Sequence, residues 1–305
     1  MLIKSADDKT SDIDTLTSLA ARPDVSSETR QRIEQEIRNI QAGVRGERDA
    51  AYEIDFIYKA SNNWAVIHDL RIEHEGRVAQ IDHLVINRML EIWLCESKHF
   101  SEGVSINEHG EFSAFYGGKP RGVASPIEQN RKHASVLDAL FRSHRIEIPN
   151  RLGFTITPKI NCVVLISKNA RISRPKTKVD RIDSIIKVDQ LKVHIEKSMD
   201  SNPLSIGRVI GSDALEKIAR SIAATHQPLS FNWAARFGVV DAPIQSTPVE
   251  ATKPSEGEVD KSLGKLFCAS CKANVSFAVA KFCWHHKSRF DGKVYCMECQ
   301  SNFPK

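Results

Sequence analysis

The stretch "QIDHLVINRMLEIWLCESKHF", residues 80–100, decides the fold. Two apolar runs, 79–87 and 90–100, flank a short polar break, so they predict a β-hairpin of buried strands. Three charges interrupt these runs: Asp82, Glu96 and Lys98. Side chains alternate along a strand, so Glu96 and Lys98 share a face, about 7 Å apart. For Asp82 to share that face with Glu96, paired residues must have an even sum such as 178, which requires an odd-length loop near 88–90 or one bulge. Two carboxylates buried side by side repel and are costly to desolvate. A hard divalent cation offsets that cost, since Mg²⁺ takes oxygen ligands from one or two carboxylates plus waters. The other reading of these residues is a structural Glu96–Lys98 pair, with Asp82 making a turn contact.

Outward from the hairpin, the residues 26–60 read as helix. Ser26 or Ser27 suits its cap, and Ile33, Ile37, Ile40 and Val44 mark one face. Gly43 and Gly46 suggest a break there, giving two helices near 28–41 and 45–59. A strand is expected over 64–73, short strands around "GVSIN" and "EFSAFY", and a helix over 125–144 with Ser125 as cap and Pro126 at its first position. The run "KINCVVLIS" (159–167) predicts a central strand. Residues 1–26 read as loosely ordered. Residues 240–262, rich in Pro, Ser, Thr and Glu, read as a flexible linker.

The 305 residues, 41% hydrophobic and 27% charged, suffice for a real core. A net charge of +5 permits an anionic partner without requiring one. No apolar run is long enough for a membrane span, and no signal peptide is evident, so a cytoplasmic location is expected. Seven cysteines in such a compartment are not read as disulfides. Cys95 and Cys162 lie in apolar runs and read as small core residues. Cys268, Cys271, Cys296 and Cys299 form C-x2-C-x24-C-x2-C, a spacing for tetrahedral Zn²⁺ in a ribbon over 263–305. Strands are expected in "VSFAVAKFC" and "KVYC". Cys283, His285 and His286 offer alternatives, as replacement ligands or for a second ion. Basic residues interleaved with aromatics in this module favour nucleic-acid contact, although some of the aromatics must form its small core.

"GERDAAYEIDF" (46–56), "QIDHLVI" (80–86), "CESKHF" (95–100) and "SPIEQNRKHASVL" (125–137) occur in this order. Together they resemble the nuclease-related domain (NERD) family, a branch of the PD-(D/E)xK nucleases, over roughly residues 40–170. The resemblance implies an α/β, restriction-endonuclease-like fold, a mixed central sheet flanked by helices, over about 27–225, followed by the zinc ribbon. It implies a Mg²⁺- or Mn²⁺-dependent nuclease acting on DNA, with RNA as a possible substrate. Asp82 and Glu96 would be metal ligands, with the Ser97 carbonyl as a third. Lys98 would position the attacking water, Glu47 would support the metal, and Gln129 would face the same site. Gln80 would brace the strand end, and His83 would be structural. The turn before Glu-x-Lys, often carrying Gly in the family, reads "NRML" here. A non-catalytic DNA- or protein-binding module, and a protein whose function lies in the zinc ribbon alone, are the competing readings.

Overall fold

A computed structural model describes residues 1–151, 154–200, 209–239, 267–275, 277–290, 292–301 and 303. The chain forms two units, 1–243 and 244–305.

The first unit is built on the expected hairpin. Strands β1 (Leu2–Lys4), β2 (Trp64–His74), β3 (Arg77–Asn87) and β4 (Glu91–Lys98) lie side by side in one sheet. The β3–β4 register pairs His83 with Cys95 and Ile86 with Ile92, the even sum that the charges demanded. The loop at 88–90 is therefore three residues long. Leu90 closes it at φ +54°, the left-handed region that glycine usually fills, and is 1% exposed in the core. Asn87 braces the turn, its side-chain carbonyl accepting from the backbone N–H groups of Met89 and Glu91.

A second sheet joins β5 (Gly103–Ile106), β6 (Phe112–Tyr116) and β7 (Lys119–Val123). Helix α3 (Pro126–Arg142) follows, its Ser125 hydroxyl accepting from Glu128 N–H. After the short strands β8 (Asn150–Arg151) and β9 (Phe154–Thr155), β10 (Lys159–Ile166) enters the main sheet parallel to β4. Strand β11 (Arg171–Ser173) extends the second sheet, and β12 (Ile185–Lys187) completes the first in the order β1-β2-β3-β4-β10-β12. The sheet is mixed: β2–β3–β4 is antiparallel, while its other neighbours run parallel.

Apolar side chains leave both faces of this sheet, so helices cover both. Val136, Leu137 and Leu140 of α3 cover one face, together with Leu215, Ile218 and Ile222 of α5 (Ser212–Ala223). Helix α2 (Ser27–Tyr58) brings Ala50, Ile54 and Tyr58 to the other, beside Leu191 and Ile195 of α4 (Leu191–Asp200).

Helix α2 corrects the expected break. It is one helix of 32 residues through both glycines. Its first half packs Ile33 against Leu16 and Leu19 of α1 (Thr10–Ala21) and Trp233 of α6 (Trp233–Phe237), and its second half packs on the sheet. Burial at both ends outweighs the cost of glycine in a helix, about 1 kcal/mol per residue. Gly46 serves a close approach instead: a Cβ there would stand 2.8 Å from the His99 Cβ. At Gly43 the nearest atom would be Glu47 Oε1 at 3.9 Å. We expect Gly43→Ala to raise stability by about 0.5–1 kcal/mol. Gly46→Ala should lower it, because overpacking of about 1–3 kcal/mol exceeds the helix-propensity gain. Thermal melts of the two variants check the opposite signs.

Residues 1–26 also differ from expectation. Rather than lying loose, they add β1 to the sheet edge and pack α1 on α2. Their partners are distant in sequence: the Trp233 indole N–H donates to Asp12 at 2.8 Å. The domain thus extends beyond 225 to include α6. The expected linker at 240–262 lies outside the described residues.

The second unit holds the cysteine module. The segment "VSFAVAKFC", expected as a strand, contains the start of helix α7 (Phe277–His285). Helices α8 (Lys287–Phe290) and α9 (Met297–Gln300) follow. The described β pairing in this unit is a bridge between Phe267 and Asn274. Phe290 is fully buried against Tyr295 and Phe303, so these rings form its core. Phe267, Phe282 and Trp284 remain exposed.

Candidate active site and zinc centre

The pleat slips at one level of the main sheet. In β2, Ala65 and Ile67 face the same core as Leu70 and Ile72; in β3, Ala79 and Ile81 face it with Leu84 and Ile86. The alternation breaks at Asp69, which has φ +50°, and across the β2–β3 ladder at Asp82. The β3–β4 ladder ends at the His83–Cys95 pair, and Asp82 and Glu96 are the residues just beyond it on the two strands. The Ser97 N–H donates to Asp82 Oδ2 at 2.8 Å.

A cleft opens at this end of the hairpin. Glu47, Asp82, Glu96, Lys98 and Gln129 all line it, so five side chains from four elements converge. Glu96 is 2% exposed; its Oε1 lies 2.7 Å from Lys98 Nζ and its Oε2 lies 3.5 Å from His133 Nδ1. Helix α3 presents Gln129 and His133 one turn apart. Next to Gln129, the buried Asn130 amide donates to the carbonyls of Leu94 and Val163 at 2.9 and 3.0 Å, which pins α3 across β4 and β10.

The acids are electrostatically loaded. Burial pushes the Asp82 carboxyl well above the usual carboxylate range, and the charges of Glu96 and Glu47 push it further. Burial, then the Asp69 charge, raises Glu47 to about 7. Their donors are hard oxygens, the set that suits Mg²⁺ or Mn²⁺. Asp82 and Glu96 together suit a hydrated ion held by one or two carboxylates.

His83, expected to be structural, is 2% exposed behind this site. Its Nδ1 lies 2.8 Å from His68 Nδ1, its Nε2 lies 2.9 Å from Ser97 Oγ, and His68 Nε2 lies 3.2 Å from Asp55 Oδ1. With both rings neutral, one arrangement satisfies every contact. His68 donates from Nε2 to Asp55, His83 donates from Nδ1 to His68, and Ser97 donates its hydroxyl to His83. Burial lowers both imidazole pKa values. A lowered folded-state value means stability is present above the unfolded histidine value of about 6.5 and is lost as pH falls below it. Tm should therefore drop between about pH 7 and pH 5, and His68→Gln should reduce that dependence. An unchanged pH profile in the variant would refute the buried neutral pair.

Gln80, expected to brace the strand end, instead donates its amide to Asp69 between the middles of β3 and β2. Asp69, which also pairs with Lys9 at 3.2 Å, was not foreseen, although it left a trace as an acid inside "VIHDLRI". His133 stands one helical turn after Gln129 in the same helix. Arg131 pairs with Glu128 at 2.8 Å. Cys95 is buried, as expected of a core residue.

Residues 42–167 match the nuclease-related domain family, NERD. No curated protein and no solved structure matches the chain. The NERD segment starts within α2 and ends just past β10, so it contains all five cleft residues. Its mixed sheet with helices on both faces is a nuclease-like fold. A nuclease-related function and interaction with nucleic acid follow at that level. No helix among the described residues is long and apolar enough to cross a membrane.

In the second unit, the sulfur atoms of Cys268, Cys271, Cys296 and Cys299 lie within 4.8 Å of one another. Cys271 and Cys296 are 3.6 Å apart, close to the ~3.8 Å edge of a tetrahedron with Zn–S bonds of about 2.3 Å. The Cys271 backbone N–H holds the Cys268 thiol down to about 6, while the Cys296 side chain raises Cys299. Four thiols this close require a cation to ionise together, so the cluster fits zinc and a zinc ribbon's ligand set. Cys283 stands apart from it, with its sulfur accepting from Tyr295 N–H and from the Gln300 amide. His286 Nδ1 faces the Phe282 carbonyl at 2.9 Å. The side chain of His285 lies outside the described residues.

Proposed function

We propose that this protein hydrolyses phosphodiester bonds of DNA at the cleft of Glu47, Asp82, Glu96, Lys98 and Gln129, using Mg²⁺ or Mn²⁺. The observation that carries this reading is the gathering of three carboxylates around the hairpin end with one lysine among them. Asp82 and Glu96 would hold the cation, and Glu47 would support it. The cation supplies Lewis acidity, which offsets charge building on the phosphate. Lys98 Nζ, the cation at the cleft, would position a water for in-line attack, and the proton that water loses would pass to bulk solvent. Ser97 N–H and the histidine pair behind it fix the Asp82 carboxylate, and Asn130 fixes α3 so that Gln129 faces the phosphate. Zinc at the four cysteines would organise a module that adds phosphate and stacking contacts to the nucleic acid.

The 2.7 Å Glu96–Lys98 pair also suits a second reading, in which the fold binds DNA or a protein partner without cutting. Labelled single- and double-stranded DNA incubated with Mg²⁺, with Mn²⁺ or with neither separates the two. Products that depend on the cation support the nuclease; retention of DNA without added cation and no product under any condition supports the binding module.

A further inference from the structure

Beside the cleft, a second cavity of about 220 Å³ opens between α2 and the end of β10. It shares Gly46, Lys98 and His99 with the cleft, so the two adjoin. Tyr52 forms one wall and is 66% exposed; Phe56, one turn further along the helix, is 80% exposed. Their rings lie 6.4 Å apart, tilted by 30°. Ala50 and Ile54, on the opposite face of α2, are the residues buried against the sheet. Tyr52 and Phe56 thus do nothing for the core, and water-facing rings at successive turns carry a solvation cost that selection for stability would remove.

Size and charge narrow the occupant. The cavity is smaller than the range of about 300–1,000 Å³ common for drug-sized ligands, and it suits one planar ring. Lys98, Lys168 and His99 line it with the acids Asp49 and Glu53, and Lys168 spans Glu53 at 3.3 Å. With charges of both signs, the wall favours an uncharged ring over a phosphate. The phosphate belongs instead at the neighbouring Lys98.

We infer that Tyr52 and Phe56 form a stacking platform for unpaired bases next to the scissile phosphate, making single-stranded DNA the preferred substrate. This rests on the nuclease reading for its scissile phosphate, while the platform itself is a binding surface. A paired base cannot enter: its face is covered by stacking and its edge by its partner. A single strand can turn a base into the cavity and lay the next on Phe56, and stacking of this kind accepts any base.

The test is binding of an oligonucleotide carrying a fluorescent purine analogue, without added Mg²⁺ or Mn²⁺, to wild type and to Tyr52→Ala, Phe56→Ala and Tyr52→Phe. Both positions are exposed, so the variants should fold. The expected result is quenching in wild type, about 10-fold weaker single-strand affinity for each alanine variant, retention in Tyr52→Phe, and unchanged duplex affinity. Unchanged single-strand affinity in the alanine variants overturns the platform, as does an equal loss for single strand and duplex. A change of oligomeric state in Phe56→Ala by light scattering, with DNA affinity intact, overturns it in favour of a protein-docking patch. Cleavage with Mg²⁺ is scored separately: cutting with no stacking effect sinks the platform alone, and stacking without cutting sinks the nuclease alone.

Discussion

Asp82→Asn should abolish metal-dependent cleavage and, without added Mg²⁺ or Mn²⁺, raise Tm. The amide keeps an oxygen to accept from Ser97 N–H and removes the charge that Glu96 and Glu47 oppose. The sign follows from linkage. A carboxyl whose folded-state value is raised above its unfolded one loses stability as pH climbs from the unfolded value toward the folded one, so at neutral pH the ionised form costs stability. Wild type should recover that cost with added Mg²⁺ or Mn²⁺, because a ligand of the folded state stabilises it, and Asp82→Asn should not. Lys98→Ala should cut the rate by about 100-fold or more, in the range for losing one positioned charge or proton-transfer group. It should leave metal-induced stabilisation in place. Thermal melts with and without cation, beside the cleavage assay, give the two readouts. A variant Asp82→Asn that cuts DNA at the wild-type rate would rule out this carboxylate as a ligand.

Removing zinc should have an equally large effect on the second unit. Its described core is small: Cys268, Val275 and Ala280 form one cluster, with Phe290 packed among rings nearby. So few buried side chains cannot offset the ordering entropy of the segment. Structural zinc sites supply apparent binding energies of about 10–16 kcal/mol at neutral pH. Chelation, or Cys268→Ser, should therefore unfold this unit while the main sheet stays folded. Zinc content by atomic absorption should fall from one ion per chain toward none. Circular dichroism and amide exchange would locate the loss. Full protection of the module after chelation would overturn the zinc assignment.

Much of the main sheet was legible because its signals are local. Alternating apolar residues on either side of a short break predicted the hairpin, while its even register stood only as a condition for Asp82 and Glu96 to share a face, and "KINCVVLIS" became β10, parallel to β4. The same register argument requires Asp82 and Glu96 to share a face if both are to serve one site. A serine before Pro126 marked the start of α3 through one capping bond.

Other features were hidden because their cause lies far along the chain. Residues 1–26 look polar, yet Leu16 and Leu19 find Ile33 and Trp233, and Asp12 finds the Trp233 indole. Gly43 and Gly46 read as breakers, since propensity acts locally; burial at both ends of α2 and the approach of His99 overrule it. "VSFAVAKFC" alternates like a strand, but short apolar runs are ambiguous, and from Phe277 on this one is helix, with Ala280 and Cys283 buried.

Residue types and their order along the chain were enough to name Asp82, Glu96, Lys98 and the four cysteines, because charge inside an apolar strand and paired thiols are each unusual where they stand. Convergence required three dimensions. Glu47 reaches the hairpin because α2 runs unbroken, and Gln129 because Asn130 ties α3 to two strands. Asp69 and His133 join through a slipped pleat and a helical turn. Desolvation and charge repulsion depend on distances between segments far apart in sequence, and those distances exist only once the sheet and its helices have packed.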